Sequence, residues 1–142
     1  MLKFNYPVSP EYSLVVPVGE TRKLDVFSLL VMNGNLLGLG SHPRLGYVSV
    51  VDAPQYTGSD ISEGFYFTAV LPVIYGDSGG FVFALTPCGD FEWVGVMVTI
   101  IPGMMFVPVR QILRADEIVK AFKPVVDLDK AQKKFILEQQ KN

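Results

Sequence analysis

Apolar residues dominate the chain up to residue 109, in short runs rich in Val, Leu, Ile, Phe and Tyr. Gly, Pro, Asn or Asp interrupts these runs at short intervals, and this spacing is typical of β-strands. Asn33-Gly34 and Pro102-Gly103 carry the residue types that hairpin turns require, and each pair lies between two apolar runs. The pattern predicts strands at residues 12–18, 26–32, 36–40, 47–52, 64–71, 80–85, 91–100 and 104–109.

The hydrophobic period changes at residue 110. From there to residue 122, apolar side chains recur at helical spacing among charged ones, which predicts an amphipathic helix that ends at Pro124. A second, more polar helix is predicted over residues 129–140, with a solvated tail as the alternative.

Composition narrows the class of protein. The 142 residues are 49% hydrophobic and include ten Phe, six Tyr and one Trp, which excludes intrinsic disorder of the whole chain. The net charge is −2, so the chain has no basic surface of the kind that binds nucleic acid. Charge is uneven, since residues 26–109 contain one basic residue, Arg44, against six carboxylates, whereas residues 110–142 are rich in both signs.

Cysteine usage and targeting signals suggest a compartment. Cys88 is the single cysteine and cannot form an internal disulfide, which favours a reducing compartment such as the cytoplasm. Residues 1–12 do not resemble a secretory signal. The uncharged stretch at residues 93–109 contains Pro102, Gly103 and Pro108, so we interpret it as two strands around a turn and predict no membrane span.

The segment Gly76-Asp77-Ser78-Gly79-Gly80 carries the most chemical information. A nucleophilic serine needs a sharp turn that exposes its hydroxyl while two backbone N–H groups converge beside it. Glycines around a small hydroxyl residue permit such a turn. For a shorter glycine and serine motif, a hairpin loop without catalytic meaning would be the preferred interpretation.

Together with the apolar strand that follows, these five residues resemble the nucleophile motif of the chymotrypsin/trypsin-like serine proteases. The resemblance extends over residues 36–122, where six strands and a terminal helix follow the order of that family's second barrel. It implies an all-β fold with a C-terminal helix: a single six-stranded antiparallel Greek-key barrel plus a helical tail. The strands would lie at residues 36–40, 46–50, 63–69, 80–85, 94–99 and 102–107, with the helix at 110–122. The chain would then have three parts: an N-terminal segment or linker at 1–25, the barrel with its closing helix at 26–123, and a charged tail at 124–142.

The resemblance also implies roles for individual residues. Ser78 would be the nucleophile, and the N–H groups of Gly76 and Ser78 would form the oxyanion hole. Gly79 and Gly80 would lead into the next strand, and Asp77 would either form a buried ion pair that fixes the loop or face solvent. The substrate would lie against a shallow or apolar pocket without a charge to select Lys or Arg. The residues implied for substrate binding are Pro72, Val98, Thr99, Ile100 and Gly103.

The catalytic base is where the sequence departs from the family, which uses a histidine held by an aspartate. His42 is the only histidine, and we predict it to be a loop residue between the first two strands of the barrel. In the rival interpretation, residues 27–42 form the hairpin that ends at the catalytic histidine in small viral proteases. Glu11 and Asp25 each precede an alternating strand and are candidates for the acid or plain surface carboxylates.

Three functions are consistent with these residues. The first is the nucleophile-bearing half of a serine endopeptidase, with a polypeptide substrate and an N-terminal barrel that supplies the base; the lone cysteine and short loops resemble viral polyprotein-processing enzymes of the host cytoplasm. The second is an inactive barrel that binds a partner or serves as a structural module, for example in a virion. The third is a compact protease that uses His42.

An apolar face left open on a single barrel predicts a partner or self-association. We predict no metal or other cofactor, since one His and one Cys do not make a metal site.

Overall fold

The computed structural model describes residues 9, 11, 16–52, 64–100 and 108–139. It confirms the predicted all-β class with a C-terminal helix. The helix α1 follows the last strand and runs Ala115–Gln139. The six strands are β1 Leu29–Asn35, β2 Ser41–Val50, β3 Tyr66–Val70, β4 Phe81–Leu85, β5 Phe91–Ile100 and β6 Val109–Arg114.

The strands form one closed antiparallel barrel. Their order around it is β1-β2-β3-β6-β5-β4, and β4 pairs back with β1 through the register Leu30↔Ala84 to Asn33↔Phe81. The jump from β3 to β6 places the hairpins in a Greek-key arrangement. The barrel is compatible with that of the trypsin-like proteases. Closure pairs every strand on both sides, so the sheet has no open edge.

Alternating side chains of the strands fill the barrel interior. Each strand sends every second residue inward, as the two-residue period of an extended chain requires. The interior is closely packed, and side chains from all six strands and from the β3–β4 connection contribute to it. The core comprises Leu30, Met32, Val48, Phe67, Ala69, Leu71, Val73, Val82, Ala84, Val94, Met97 and Ile112.

Two predictions for the first part of the barrel were wrong. The first strand is Leu29–Asn35 and not residues 36–40, where Leu36–Gly38 forms a single 3-10 turn. Asn33-Gly34 does not form a hairpin turn, because both residues lie within β1 and pair with Pro43 and His42 of β2. The hydrogen bonds of that ladder, together with the β1–β4 pairing, outweigh the local turn preference of the dipeptide.

The end of the chain also differs from the prediction. The predicted strand at 104–109 lies largely outside the described residues, and the observed β6 occupies the positions assigned to the start of the helix. Helix α1 continues through Pro124 and replaces the two predicted helices. A proline removes one backbone hydrogen bond, which a long helix tolerates at the cost of a kink. None of the described helices is long and apolar enough to cross a bilayer.

A buried arginine joins three segments at the barrel end that lies opposite the β3–β4 connection. Arg114 is 0% exposed, and it donates hydrogen bonds to Thr21 Oγ1 at 2.9 Å and to Val51 O. The Thr21 hydroxyl in turn donates to Asp116 Oδ1 at 2.8 Å. Burial lowers the pKa of the Arg114 guanidinium. This network ties the segment before β1, the end of β2 and the first turn of α1 together.

Candidate functional site

Ser78 lies on the connection between β3 and β4, residues 71–80, which we call the serine loop. Two tight turns shape it, with Asp77 N–H donating to Ile74 O at 3.3 Å and Gly80 N–H to Asp77 O at 2.9 Å. Gly76 and Gly79 occupy the third positions of these turns with φ of 96° and 85°, the positive values that type II turns require. Ser78 occupies the second position of the second turn and is exposed.

The backbone N–H groups of residues 76–80, the part of the serine loop around Ser78, divide into two sets. Those of Asp77, Gly79 and Gly80 donate to backbone carbonyls, and Gly79 N–H reaches Met97 O of β5 at 2.8 Å. Those of Gly76 and Ser78 donate to no group in the described part of the chain. The two N–H groups that the resemblance assigns to an oxyanion hole are therefore the two that have no acceptor among the described residues in the segment 76–80.

Asp77, between those two donors, is buried and ion-paired. It is 1% exposed, and its Oδ1 and Oδ2 each lie 2.5 Å from a guanidinium nitrogen of Arg44 on β2. Its Oδ2 also accepts the Ile74 N–H at 3.0 Å. Burial alone would raise the pKa of Asp77, but the hydrogen bonds from Arg44 and Ile74 and the charges of Arg44 and His42 bring the pKa below its ordinary value.

Two arginines hold the serine loop from inside the barrel. Besides Asp77, Arg44 NH1 donates to Pro72 O at 3.4 Å. Arg110 on β6 is 4% exposed and donates to Val73 O at 3.1 Å. Sequence reasoning missed both arginines. The available signal was Arg44 itself, the single basic residue in a stretch that contains six carboxylates.

Gly34 on β1 makes room for this ion pair. A Cβ placed there would lie 2.7 Å from Asp77 Oδ1 and 3.1 Å from Arg44 NH2. We expect Gly34→Ala to lower the free energy of unfolding by about 1 to 3 kcal/mol, the range typical of overpacking. Urea denaturation measures this directly. A free energy of unfolding within the error of the wild type would show that the ion pair tolerates a side chain beside it.

Ser78 borders an open groove of about 440 Å³ between the serine loop and the β1–β2 hairpin, which we call the serine groove. Small residues make up most of its described lining, which contains no titratable side chain. The lining residues are Asn33, Gly34, Asn35, Gly40, Ser41, Gly76, Ser78, Gly79, Gly80 and Phe81.

His42 lies close to this groove but not in its lining. The prediction that it is a loop residue was wrong, since it belongs to β2 and pairs with Gly34. Its Nδ1 is 2.9 Å from Gly40 O, and because a carbonyl only accepts, Nδ1–H is the donor of this hydrogen bond.

The remaining predicted residues are spread over the barrel. Pro72 is exposed on the serine loop. The last three residues of β5, which ends beside that loop, are Val98, Thr99 and Ile100. Gly103 lies outside the described residues. Both candidate acids are exposed. Glu11 Oε1 accepts from Ser9 Oγ at 3.2 Å, and Asp25 lies in the turn before β1, where its N–H donates to Ser28 Oγ at 2.9 Å.

An aromatic face formed by Phe81, Phe83 and Trp93 lies on the outside of β4 and β5. Phe81 and Trp93 meet edge to face at 5.9 Å, and Phe81 is 54% exposed. With Val16, the three rings line a shallow groove of about 350 Å³. Phe81 lines both this groove and the one beside Ser78, so the two surfaces are continuous.

The fold and site together define a closed six-stranded barrel with an exposed serine on an ion-paired, glycine-rich loop. A scan against protein-family models finds no match, and a search of curated proteins finds no similar sequence. Among the residues that the structure describes, no group of three His, Cys, Asp or Glu side chains could hold a metal ion.

Proposed function

We propose that this chain is the nucleophile-bearing part of a serine endopeptidase, with Ser78 as the nucleophile. The observation that carries the proposal is the pair of unused N–H groups, Gly76 and Ser78, on either side of the ion-paired Asp77. Such donors stabilise the oxyanion of a tetrahedral intermediate because they are fixed before the reaction begins. Buried Asp77 holds the peptide units of both donors in place.

In the proposed reaction, a base takes the Ser78 proton as Oγ attacks the carbonyl carbon of a peptide bond. The C–N bond then breaks, the base returns the proton to the leaving amine, and water hydrolyses the acyl-enzyme. His42 does not line the groove beside Ser78. We therefore assign the base to an element outside the described part of the chain, as in the two-barrel enzymes that the sequence resembles.

The aromatic face is the proposed docking surface for that base-bearing element. Exposed apolar surface next to a reactive group favours a protein partner, and Phe81 connects this face to the serine groove.

A polypeptide is the proposed substrate. The exposed Cys88, which forms no disulfide, supports the viral polyprotein-processing type as the proposed class.

A fluorophosphonate tests the nucleophile, with imidazole added as the missing base. Attack by Ser78 Oγ forms the O–P bond and releases fluoride, and imidazole takes the proton. We expect intact mass and peptide mapping to place the adduct on Ser78, with none on Ser78→Ala. His42→Ala should be labelled within about twofold of the wild-type rate, because its ring is not the proposed base. Loss of labelling in His42→Ala would assign the base to this chain and contradict the proposal.

An inactive binding module is the second candidate. The observation that favours it is the absence of a titratable side chain from the described lining of the serine groove. No adduct at Ser78, with or without imidazole, would support this candidate and overturn the endopeptidase.

A further inference from the structure

A second exposed apolar surface lies on the outside of β1 and β2, on parts of these strands that do not line the groove beside Ser78. We call it the Phe27 patch, formed by Phe27, Leu29, Leu45 and Tyr47, which are 74%, 43%, 64% and 38% exposed. Leu29 and Tyr47 are cross-strand partners, and the rings of Phe27 and Tyr47 are 5.4 Å apart. The patch extends about 13 Å along the strands, from Phe27 to the level of Leu45.

Phe27 adopts an unfavourable backbone conformation within this patch. It is the third residue of the turn closed by Ser28 N–H to Asp25 O at 3.0 Å, and its φ is 71°. Glycine or asparagine normally occupies such a position, and a bulky aromatic residue is strained there. Phe27 N–H donates to Val48 O at 2.8 Å, which holds the ring outward. A strained and exposed aromatic residue points to a contact outside the single chain.

Helix α1 presents the complementary surface, the α1 stripe, formed by Val119, Phe122, Val125 and Val126. These four side chains are between 37% and 46% exposed, although Ala115 at the start of the helix is fully buried. At 1.5 Å per residue, the 25 residues of α1 extend about 37 Å, and the stripe covers about 10 Å of that length. The helix therefore projects beyond the barrel with an apolar surface that matches the Phe27 patch in length.

Each surface has a charged residue beside it that could pair with one on the other surface. Lys123 and Lys130 border the α1 stripe, and Asp25 lies in the turn that carries Phe27. None of the three forms an ion pair within the described part of the chain.

We propose that the α1 stripe of one copy docks on the Phe27 patch of a second copy, with Lys123 beside Asp25. The helix cannot reach the patch of its own chain, because α1 contacts β5 and β6, which lie across the barrel from β1 and β2. The contact is thus between unlike surfaces. Such contacts are head to tail and produce rings or filaments unless one surface is blocked.

Two variants and their mixture test the docking. Phe27→Asp removes the patch and Phe122→Asp removes the stripe, and we expect each alone to sediment as a monomer while the wild type forms concentration-dependent oligomers. An equimolar mixture should form a 1:1 dimer, since one variant keeps the helix and the other keeps the patch. Phe91→Asp, at an exposed ring outside both surfaces, should associate like the wild type. Formation of the mixed dimer also shows that both variants fold.

Charge variants provide a second test that does not touch apolar packing. Lys123→Glu and Asp25→Lys should each weaken wild-type association at least tenfold, and the double variant should recover most of it. A monomeric wild type at high concentration, or association retained by Phe27→Asp, would overturn the proposal. Association that Phe27→Asp retains and Phe122→Asp loses would instead indicate pairing of two α1 helices. Neither result bears on Ser78, whose labelling is measured separately.

Discussion

Replacement of Arg44 by methionine should lower the free energy of unfolding by about 3 to 5 kcal/mol, the effect of removing one partner from a buried ion pair. The side chain of Asp77 is fully buried, and Arg44 supplies both of its charged hydrogen bonds. Without Arg44, the Asp77 carboxylate would keep only the Ile74 N–H within the described residues. Chemical denaturation of the two proteins measures the difference.

Arg22→Met is the matched control, because Arg22 also pairs with an aspartate but is 56% exposed. Exposed pairs are worth at most about 1 kcal/mol, so this variant should unfold close to the wild type. Equal losses in Arg22→Met and Arg44→Met would mean that the buried pair has no special role. Adding Asp77→Asn to Arg44→Met should recover part of the loss, since it removes the buried charge.

The pH dependence of the Arg44→Met variant should differ in sign from that of the wild type. In the wild type the pKa of Asp77 is lowered, so its stabilisation is present above the ordinary value of 3.8 and is lost as pH falls through the lowered pKa. In the variant, burial becomes the main influence and raises the pKa of Asp77, so stability is lost as pH rises. The two proteins should therefore differ most near neutral pH and least below the lowered pKa of wild-type Asp77.

Gly76→Ala should slow fluorophosphonate labelling of Ser78 by about 100- to 1000-fold, the effect of losing one oxyanion-hole donor. Gly76 has φ of 96°, and a Cβ there would lie 2.9 Å from Asn35 O and 3.1 Å from Leu37 N. Because both are backbone atoms, the peptide unit of Gly76 has to rotate. Its N–H then no longer points where the oxyanion would form.

Gly89→Ala separates this effect from simple backbone strain. Gly89 has a similar φ of 87° in the turn between β4 and β5, and an added Cβ there would meet nothing within 4 Å. We expect this variant to lose stability to strain but to label at the wild-type rate. Equal labelling of the Gly76→Ala variant would remove the Gly76 N–H from the proposed mechanism.

The strands that were predicted well are apolar runs that begin directly after turn-forming residues. The bounds of β5 were predicted at 91–100 and observed at Phe91–Ile100, and β4 was displaced by a single residue. The first strand was misplaced because its pairing is non-local. Asn33 pairs with Pro43 and with Phe81, and the local sequence around Asn33 does not predict pairing with a residue as distant as Phe81.

The site was predictable where it follows from local backbone chemistry, and not where it depends on contacts across the barrel. Glycines around Ser78 indicated a sharp turn, and the structure has two tight turns there. Asp77 pairs with Arg44 of β2, and the absence of a side chain at Gly34 of β1 leaves room for this ion pair. Only the folded barrel brings these two strands together at the serine loop. Arg110 was assigned to a helix by its spacing, but it lies on β6 and holds the serine loop.

The most direct test of the central claim is a crystal structure of the chain after fluorophosphonate labelling in the presence of imidazole. We expect phosphorus bonded to Ser78 Oγ, with the phosphoryl oxygen about 2.7 to 3.1 Å from both Gly76 N and Ser78 N. The Asp77–Arg44 ion pair should be unchanged. An adduct whose phosphoryl oxygen points to solvent, or a Ser78 that remains unmodified, would contradict that claim.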